Sequence, residues 1–167
     1  MQTRRRIDQV LEDGFATVEG IDLDELRARR QLAHHVENEL SYYRRLLHGR
    51  MDLIRFEQRR RTGEEKRSLI EALPEILADD PNPAAGRGRH IATDLPILPD
   101  NGKRNIDHIL GDDVLTRLAD IGDADLATAL ESVEELERRL SEQRRQVQGV
   151  EDILADELAA RYRTDAS

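Results

Sequence analysis

Two long segments of the chain, residues 22–62 and 123–163, lack proline and carry apolar residues at helical spacing. Within each segment, the apolar positions are separated by steps of four and seven residues. They are Val36, Leu40, Leu47 and Ile54 in the first segment, and Leu136, Leu140, Val147 and Leu154 in the second. This spacing is typical of helices that pair in a coiled coil. Each segment predicts a helix about 60 Å long.

Capping residues define the ends of both predicted helices. Asp22 or Asp24 can cap the first helix, and Gly63 can adopt the left-handed conformation that closes it. The second helix begins after Gly122-Asp123 and ends near residues 161–163, where arginines suit the helix dipole. The chain therefore divides into an N-terminal segment, a first long helix, a connection and a second long helix. Their ranges are 1–21, 22–62, 63–122 and 123–167.

The connection contains all five prolines of the chain, between residues 74 and 99. Residues 64–80 predict a short amphipathic helix bent at Pro74, residues 81–105 a loop with turn-forming residues, and residues 106–122 short helical turns. We expect its apolar residues to pack on the long helices or to meet a partner. The predicted fold class is all-α: a long antiparallel coiled-coil hairpin of two helices, with short connecting helices and a Pro/Gly-rich loop.

Composition agrees with a helical protein and excludes several classes. Of the 167 residues, 38% are hydrophobic, 37% are charged and only 3% are aromatic, which disfavours sheet-based cores. The net charge of −9 disfavours direct binding of nucleic acid or anionic membranes. The absence of cysteine excludes disulfides and thiolate sites. No membrane-spanning segment or signal peptide is recognisable, so we expect a cytoplasmic protein without a membrane partner.

The chain repeats itself at an offset of 100 residues, and polar residues carry much of the repeat. At about 100° per residue, the five polar positions of each copy lie within one stripe about 80° wide, beside the apolar seam. We call these positions the motif stripe. The first copy consists of Glu37, Ser41, Arg44, His48 and Asp52, and the second of Glu137, Ser141, Arg144, Gln148 and Asp152.

Two interpretations of the repeat remain open at this point. In the first, the motif stripe is a solvent-exposed helix surface whose charged residues pair along each helix, and its repetition only reflects an old duplication. Gly49 and Gly149 favour a functional surface instead, because they are the only glycines inside the long segments and occupy equivalent positions. A glycine inside a helix costs about 1 kcal/mol relative to alanine. Close approach of another backbone or of a ligand would explain that cost.

An antiparallel pairing with Arg44 opposite Arg144 aligns the predicted helix ends. This register places Glu37 near Glu151 and Asp52 near Leu136, and predicts a patch with two arginines at its centre and carboxylates around them. Arginine binds phosphate and reads guanine O6 and N7. A carboxylate can accept hydrogen bonds from guanine N1 and N2. The residues alone therefore predict a symmetric guanine nucleotide or phosphate ligand.

The doubled motif E-x3-S-x2-R-x3-Q-x3-D resembles that of the actinobacterial RsiG anti-sigma factors. The surrounding segments DLDELRARRQLAHHVENELSYYRRLLHGRMDLI and SLIEALPEILADDP are similar as well. The resemblance implies a protein that uses cyclic di-GMP, bound as an intercalated pair, to hold a WhiG-type sporulation or motility sigma factor inactive. It implies ligand contacts by all ten motif residues. His48 departs from the pattern, because imidazole cannot present the two-atom fork of the glutamine that it replaces.

Other candidate sites are weaker. His48 and Asp52 lack a third metal ligand, His34-His35 suits a helix surface, and the basic turn GRGRH at 86–90 suits a loop or a partner contact. No phosphate-loop, zinc-protease or hydrolase motif occurs, so we expect neither an enzyme nor a metal site. The two function classes are a cyclic di-GMP-responsive anti-sigma factor and a structural coiled-coil adaptor or scaffold. Because the duplication supplies both halves of the site, we expect a monomer apart from the sigma factor.

Overall fold

The computed structural model describes residues 6–78 and 118–165 of the chain. These residues form four helices and no strand, and the two long helices pack against each other, which confirms the predicted all-α class. The helices are α1 (Arg6–Val10), α2 (Leu23–Thr62), α3 (Leu69–Ala78) and α4 (Asp123–Asp165). The predicted loop at 81–105 and the GRGRH turn lie outside the described residues. So do the predicted helical turns up to residue 117, with Ile109, Leu110 and Leu115.

The helix ends follow from the capping residues. Asp22, rather than Asp24, caps α2, because its Oδ1 accepts a hydrogen bond from the Glu25 amide at 2.7 Å. Gly63 closes α2 with a φ of 82°, and the Glu65 amide donates to the Arg59 carbonyl at 3.1 Å. Ser68 and Glu71 form a reciprocal capping box that starts α3. Pro74 lies inside α3, in the segment where the sequence predicts a short helix.

The chain divides into two compact units, Met1–Arg44 with Arg138–Ser167, and Arg45–Glu137. In the first unit, Arg27 donates to the Tyr162 hydroxyl and His34 lies 2.9 Å from Glu151. In the second, Arg55 pairs with Glu134 at 2.8 Å and Arg61 with Asp123 at 2.6 Å. In both units, higher numbers on α2 meet lower numbers on α4. The two long helices are therefore antiparallel within each unit.

The core consists of apolar side chains along α2 and α4. The buried apolar positions of α4 follow steps of seven residues, and α2 buries additional side chains between its own heptad positions. Those of α4 are Leu126, Val133, Leu140, Val147 and Leu154. The predicted seam residue Leu136 is only half-buried. Leu136 occupies the second seam position of its heptad. Seven residues later, the same position holds the polar Gln143, so α4 buries only one apolar side chain per heptad.

Within the first unit, arginines of the two long helices hold the N-terminal segment. The Arg161 guanidinium donates to the carbonyls of Ile21 and Val18 at 2.7 and 2.9 Å. Arg29 donates to the Phe15 carbonyl at 3.1 Å and stacks over the Phe15 ring. Within the described part of the chain, the structure contains no helix with the length and apolar character needed to cross a membrane.

A group of charged residues connects the end of α2 to the start of α4 in the second unit. The buried Glu57 carboxylate accepts hydrogen bonds from Arg60 and Arg61 at 2.7–2.9 Å. Arg61 also donates to the Asp123 carboxylate and to the Leu118 carbonyl, at 2.6 and 2.9 Å. Hydrogen bonds from Arg60, and then from Arg61, lower the pKa of Glu57 below its ordinary value of 4.5. We call these four side chains, Glu57, Arg60, Arg61 and Asp123, the end clamp.

Candidate functional site

Four motif residues meet in the first unit, two from each copy of the repeat. Glu37 and Ser41 extend from α2, and Arg144 and Gln148 from α4. The Arg144 Nε donates to Glu37 Oε1 and to Ser41 Oγ, both at 2.7 Å. Ser41 Oγ donates to Glu37 Oε1 at 2.9 Å, and Gln148 Nε2 donates to the same oxygen at 3.2 Å. We call these four residues the first cluster.

The first cluster fixes the positions of the Glu37 carboxylate and the Arg144 guanidinium, but leaves some of their polar atoms available to a ligand. All three hydrogen bonds to Glu37 use Oε1, and both hydrogen bonds from Arg144 use Nε. Among the described residues, Glu37 Oε2 and the Nη atoms of Arg144 have no hydrogen-bond partner. The Glu37 side chain is 13% exposed and the Arg144 side chain 29% exposed. The cluster therefore presents one carboxylate oxygen and one guanidinium edge that are already oriented.

The second unit contains the equivalent pair with the copies exchanged. His48 Nε2, from the first copy, lies 3.0 Å from Glu137 Oε1, from the second copy. In the repeat, His48 corresponds to Gln148 and Glu137 to Glu37. The imidazole of His48 therefore makes the interhelical contact that the amide of Gln148 makes in the first cluster. The departure from the motif at residue 48 preserves this contact. We call His48 and Glu137 the second cluster.

The remaining motif residues lie along the same helices. Arg44 and Ser141 are half-buried in the first unit, where Asp152 is exposed. Asp52 belongs to the second unit and is half-buried, with Arg55 Nη1 at 3.9 Å from its Oδ1. Six of the ten predicted residues thus lie in the two clusters, four in the first and two in the second.

On the motif face, the hydrogen bonds join residues about one helical turn from the partners that the predicted register gives. Glu37 binds Arg144 and Gln148, and Glu151 pairs with His34 at 2.9 Å, whereas the Arg55–Glu134 pair lies within one residue of the predicted alignment. Buried apolar side chains determine which layers of two helices face each other. The prediction instead aligned the two arginines by symmetry, and long polar side chains can meet a partner one turn away.

Sequence reasoning did not identify the charged pair Arg55–Glu134, which lies next to the second cluster along the helices. Arg55 Nη2 donates to Glu134 Oε1 at 2.8 Å. Both residues come three positions from a motif residue, Asp52 and Glu137 respectively, so helical spacing contained the signal. The predicted first motif copy ends at Asp52 and therefore does not include Arg55.

The two equivalent glycines lie on open helix surface. A Cβ atom added at Gly49 or at Gly149 would meet no heavy atom within 4 Å among the described residues. The close backbone approach that would explain a glycine is therefore not made by the described part of the chain itself. The cost of about 1 kcal/mol per glycine has no compensation there.

The chemistry that these clusters offer is hydrogen bonding and charge. The first cluster combines a guanidinium, a carboxylate, a hydroxyl and an amide, a set that can match both donors and acceptors of a polar ligand. No group of three or more His, Cys, Asp and Glu side chains within the described residues is arranged to hold a metal ion.

Comparison with protein families places the chain in one of them. The family model described as RsiG-like matches residues 12–77 and 112–167, which includes both copies of the motif stripe and both long helices. Comparison with curated proteins gave no match. Since the family match covers well over half of the chain, the chain belongs to the RsiG-like family, and this membership indicates an anti-sigma factor role with a sigma factor as the partner.

Proposed function

We propose that this protein is a cyclic di-GMP-binding anti-sigma factor that holds a WhiG-type sigma factor inactive and so represses its transcription. The observation that carries the proposal is the first cluster, where residues of both motif copies converge through hydrogen bonds of 2.7–3.2 Å. Membership of the RsiG-like family supports the sigma factor as the partner. The proposed activity is binding alone, without catalysis.

The proposed ligand contacts follow from the groups that the first cluster leaves available. The Nη edge of Arg144 is suited to guanine O6 and N7 or to a phosphate, and Glu37 Oε2 can accept from guanine N1 and N2. The Nε hydrogen bonds to Glu37 and Ser41 orient the guanidinium before the ligand arrives. This preorganisation lowers the entropic cost of ligand binding.

The repeat supports a stoichiometry of two cyclic di-GMP molecules. Each unit contains a pairing of glutamate from one motif copy with a hydrogen-bonding side chain from the other, Glu37 with Gln148 and Glu137 with His48. Each of two ligand molecules would then have one such cluster. The net charge of −9 complements the basic DNA-binding surfaces of a sigma factor, so the complex would keep that factor from DNA.

Titration calorimetry with cyclic di-GMP, together with co-purification of a WhiG-type sigma factor, tests the proposal. We expect saturable binding of cyclic di-GMP, no comparable binding of cyclic di-AMP, and recovery of the sigma factor that increases when cyclic di-GMP is present. Binding of neither nucleotide would contradict the proposal. Equal binding of both would contradict the guanine contacts.

The alternative function is a structural coiled-coil adaptor without a nucleotide ligand. One observation favours it: Glu37 Oε1 already accepts three hydrogen bonds within the chain, as it would in a purely structural network. An adaptor would recover the sigma factor equally well with and without cyclic di-GMP, so the same experiment separates the two functions.

Replacement of Gly149 by leucine tests whether the bare helix surface serves the ligand. Leucine is the better helix former by nearly 1 kcal/mol, and its Cβ has no neighbour within 4 Å among the described residues. We expect unchanged or higher thermal stability by circular dichroism, and weaker cyclic di-GMP binding because the side chain covers the approach to the neighbouring Gln148. Gly149→Ala is the matched control for side-chain size. Unchanged affinity in Gly149→Leu would show that this surface does not contact the ligand.

A further inference from the structure

The second unit contains a pocket where α3 meets the last turns of α2. Its volume is about 290 Å³, and it is lined by Asp52, Phe56 and Arg59 of α2 and by Arg67, Glu75 and Ile76 on the other side. Ligand sites for drug-sized molecules measure about 300–1,000 Å³, so this pocket suits a single base rather than a whole dinucleotide. One of its walls is a motif residue, Asp52.

Asp52 and Arg59 face the same side of α2. They are seven residues apart, which places them within about 20° of each other around the helix axis. The buried Phe56 lies between them in the chain and contributes an aromatic wall. Arg59 thus continues the motif stripe beyond the point where the repeat ends.

The two arginines of the pocket differ in their pairing. Arg67 is held by Glu65 and Glu75, at 2.8 and 2.5 Å, and its hydrogen bonds lower the pKa of Glu65 to about 2. The charge of Arg67 is therefore neutralised by these two carboxylates, and its side chain only lines the pocket. The Arg59 guanidinium makes no hydrogen bond or ion pair with the described part of the chain, so its charge remains available.

The second motif copy has no equivalent of this pocket wall. The positions 100 residues later than Phe56 and Arg59 are Asp156 and Ala159, so neither an aromatic ring nor a cation stands at the equivalent places after Asp152. The two copies agree at four of five motif positions and then differ in charge just beyond the motif. A function for Arg59 would therefore belong to one half of the site only.

We propose that Arg59 is a ligand-binding residue outside the repeated motif, and that the pocket receives one end of a guanine nucleotide. The Asp52 carboxylate accepts from guanine N1–H and the N2 amino group, and Arg59 donates to a phosphate oxygen of the same ligand. Adenine has neither N1–H nor an N2 amino group, so the Asp52 wall discriminates against it. This inference rests on the proposed function, and it makes the two ligand sites unequal in affinity.

The test is calorimetry of the full chain with cyclic di-GMP, using Arg59→Ala and Arg59→Lys. Because a hydrogen bond to a charged group contributes about 1.5–3 kcal/mol, we expect Arg59→Ala to weaken one class of sites by at least about tenfold. Arg59→Lys should retain most of the affinity, since a phosphate accepts from an ammonium as well. Arg30→Ala, an exposed arginine on the same helix, is the matched control and should bind as the wild type does.

Three outcomes would overturn the inference. If the wild type binds cyclic di-GMP and Arg59→Ala binds it equally well, Arg59 is not a ligand residue while the proposed function stands. If Arg59→Ala binds cyclic di-GMP normally but no longer co-purifies with the sigma factor, the pocket is a protein contact. If the wild type does not bind cyclic di-GMP, both the proposed function and this inference fail.

Discussion

Replacement of Arg61 by alanine is expected to lower the stability of the fold more than replacement of its neighbour Arg60 does, because it leaves the Leu118 carbonyl without its donor and the buried Glu57 carboxylate with Arg60 alone. The Arg61 side chain is 21% exposed and serves three acceptors: the Glu57 and Asp123 carboxylates and the Leu118 carbonyl. The Glu57 side chain is only 6% exposed, so water replaces the lost donor poorly. Urea denaturation followed by circular dichroism measures the loss.

Arg60→Ala is the matched control for the end clamp. Arg60 binds the same carboxylate with two hydrogen bonds, but its side chain is 45% exposed. Since exposed ion pairs contribute about 0–1 kcal/mol, its removal should cost less than that of Arg61. Equal losses for the two variants would contradict the central position of Arg61.

The end clamp also predicts how stability depends on pH. The pKa of Glu57 is lowered, first by the hydrogen bond from Arg60, so the folded chain binds a proton at Glu57 less readily than the unfolded chain does. The stabilisation is complete above the unfolded value of 4.5 and decreases as the pH falls towards the lower folded value. Glu57→Gln should remove this contribution to the acid dependence.

Replacement of Arg144 by alanine is expected to weaken cyclic di-GMP binding about 5- to 150-fold, the range that corresponds to a bidentate contact of about 1–3 kcal/mol. The variant removes the oriented guanidinium edge of the first cluster but leaves Ser41 and Gln148 as partners of Glu37. Helicity should therefore be retained. Sigma-factor recovery should fall in parallel, since the proposed ligand forms part of that complex. Calorimetry and co-purification measure the two effects.

Two further variants define the role of Arg144. Arg144→Lys should restore little affinity, because an ammonium retains the charge but lacks the planar fork. Arg139→Ala, an exposed arginine about 140° away around α4, should bind cyclic di-GMP and the sigma factor as the wild type does. Wild-type affinity in an Arg44→Ala, Arg144→Ala double variant would contradict the cyclic di-GMP proposal and leave the adaptor function.

The structure suggests why both motif copies are needed in one chain. Glu37 from the first copy is satisfied only by Arg144 and Gln148 from the second, together with its own neighbour Ser41. Within α2, the hydrogen bonds to Glu37 come from Ser41 alone, and α4 supplies the guanidinium and the amide. The antiparallel pairing of α2 with α4 supplies the missing donors within each unit.

Local rules were sufficient to predict the two long helices, the short helix α3 and the motif from the sequence, but not α1. Helical periodicity, the absence of proline and the caps Asp22 and Gly63 predicted a first helix at 22–62, and α2 spans Leu23–Thr62. These signals act within a few residues, so they need no knowledge of the remaining fold. The repeat of polar identities likewise lies in the sequence itself, and it identified the residues that form the first cluster.

The tertiary structure decided the partners of each polar group and the pocket beside Asp52. Val133 rather than Leu136 is buried in α4. Which side chains of α4 face α2 depends on the packing along the whole length of the two helices. Glu37 binds Arg144 and Gln148 of α4, partners that the sequence alone did not predict. Arg59 acquires its position next to Asp52 in a pocket only because α3 turns back beside α2. Contacts between residues distant in sequence follow from the packing of whole helices, which local spacing does not determine.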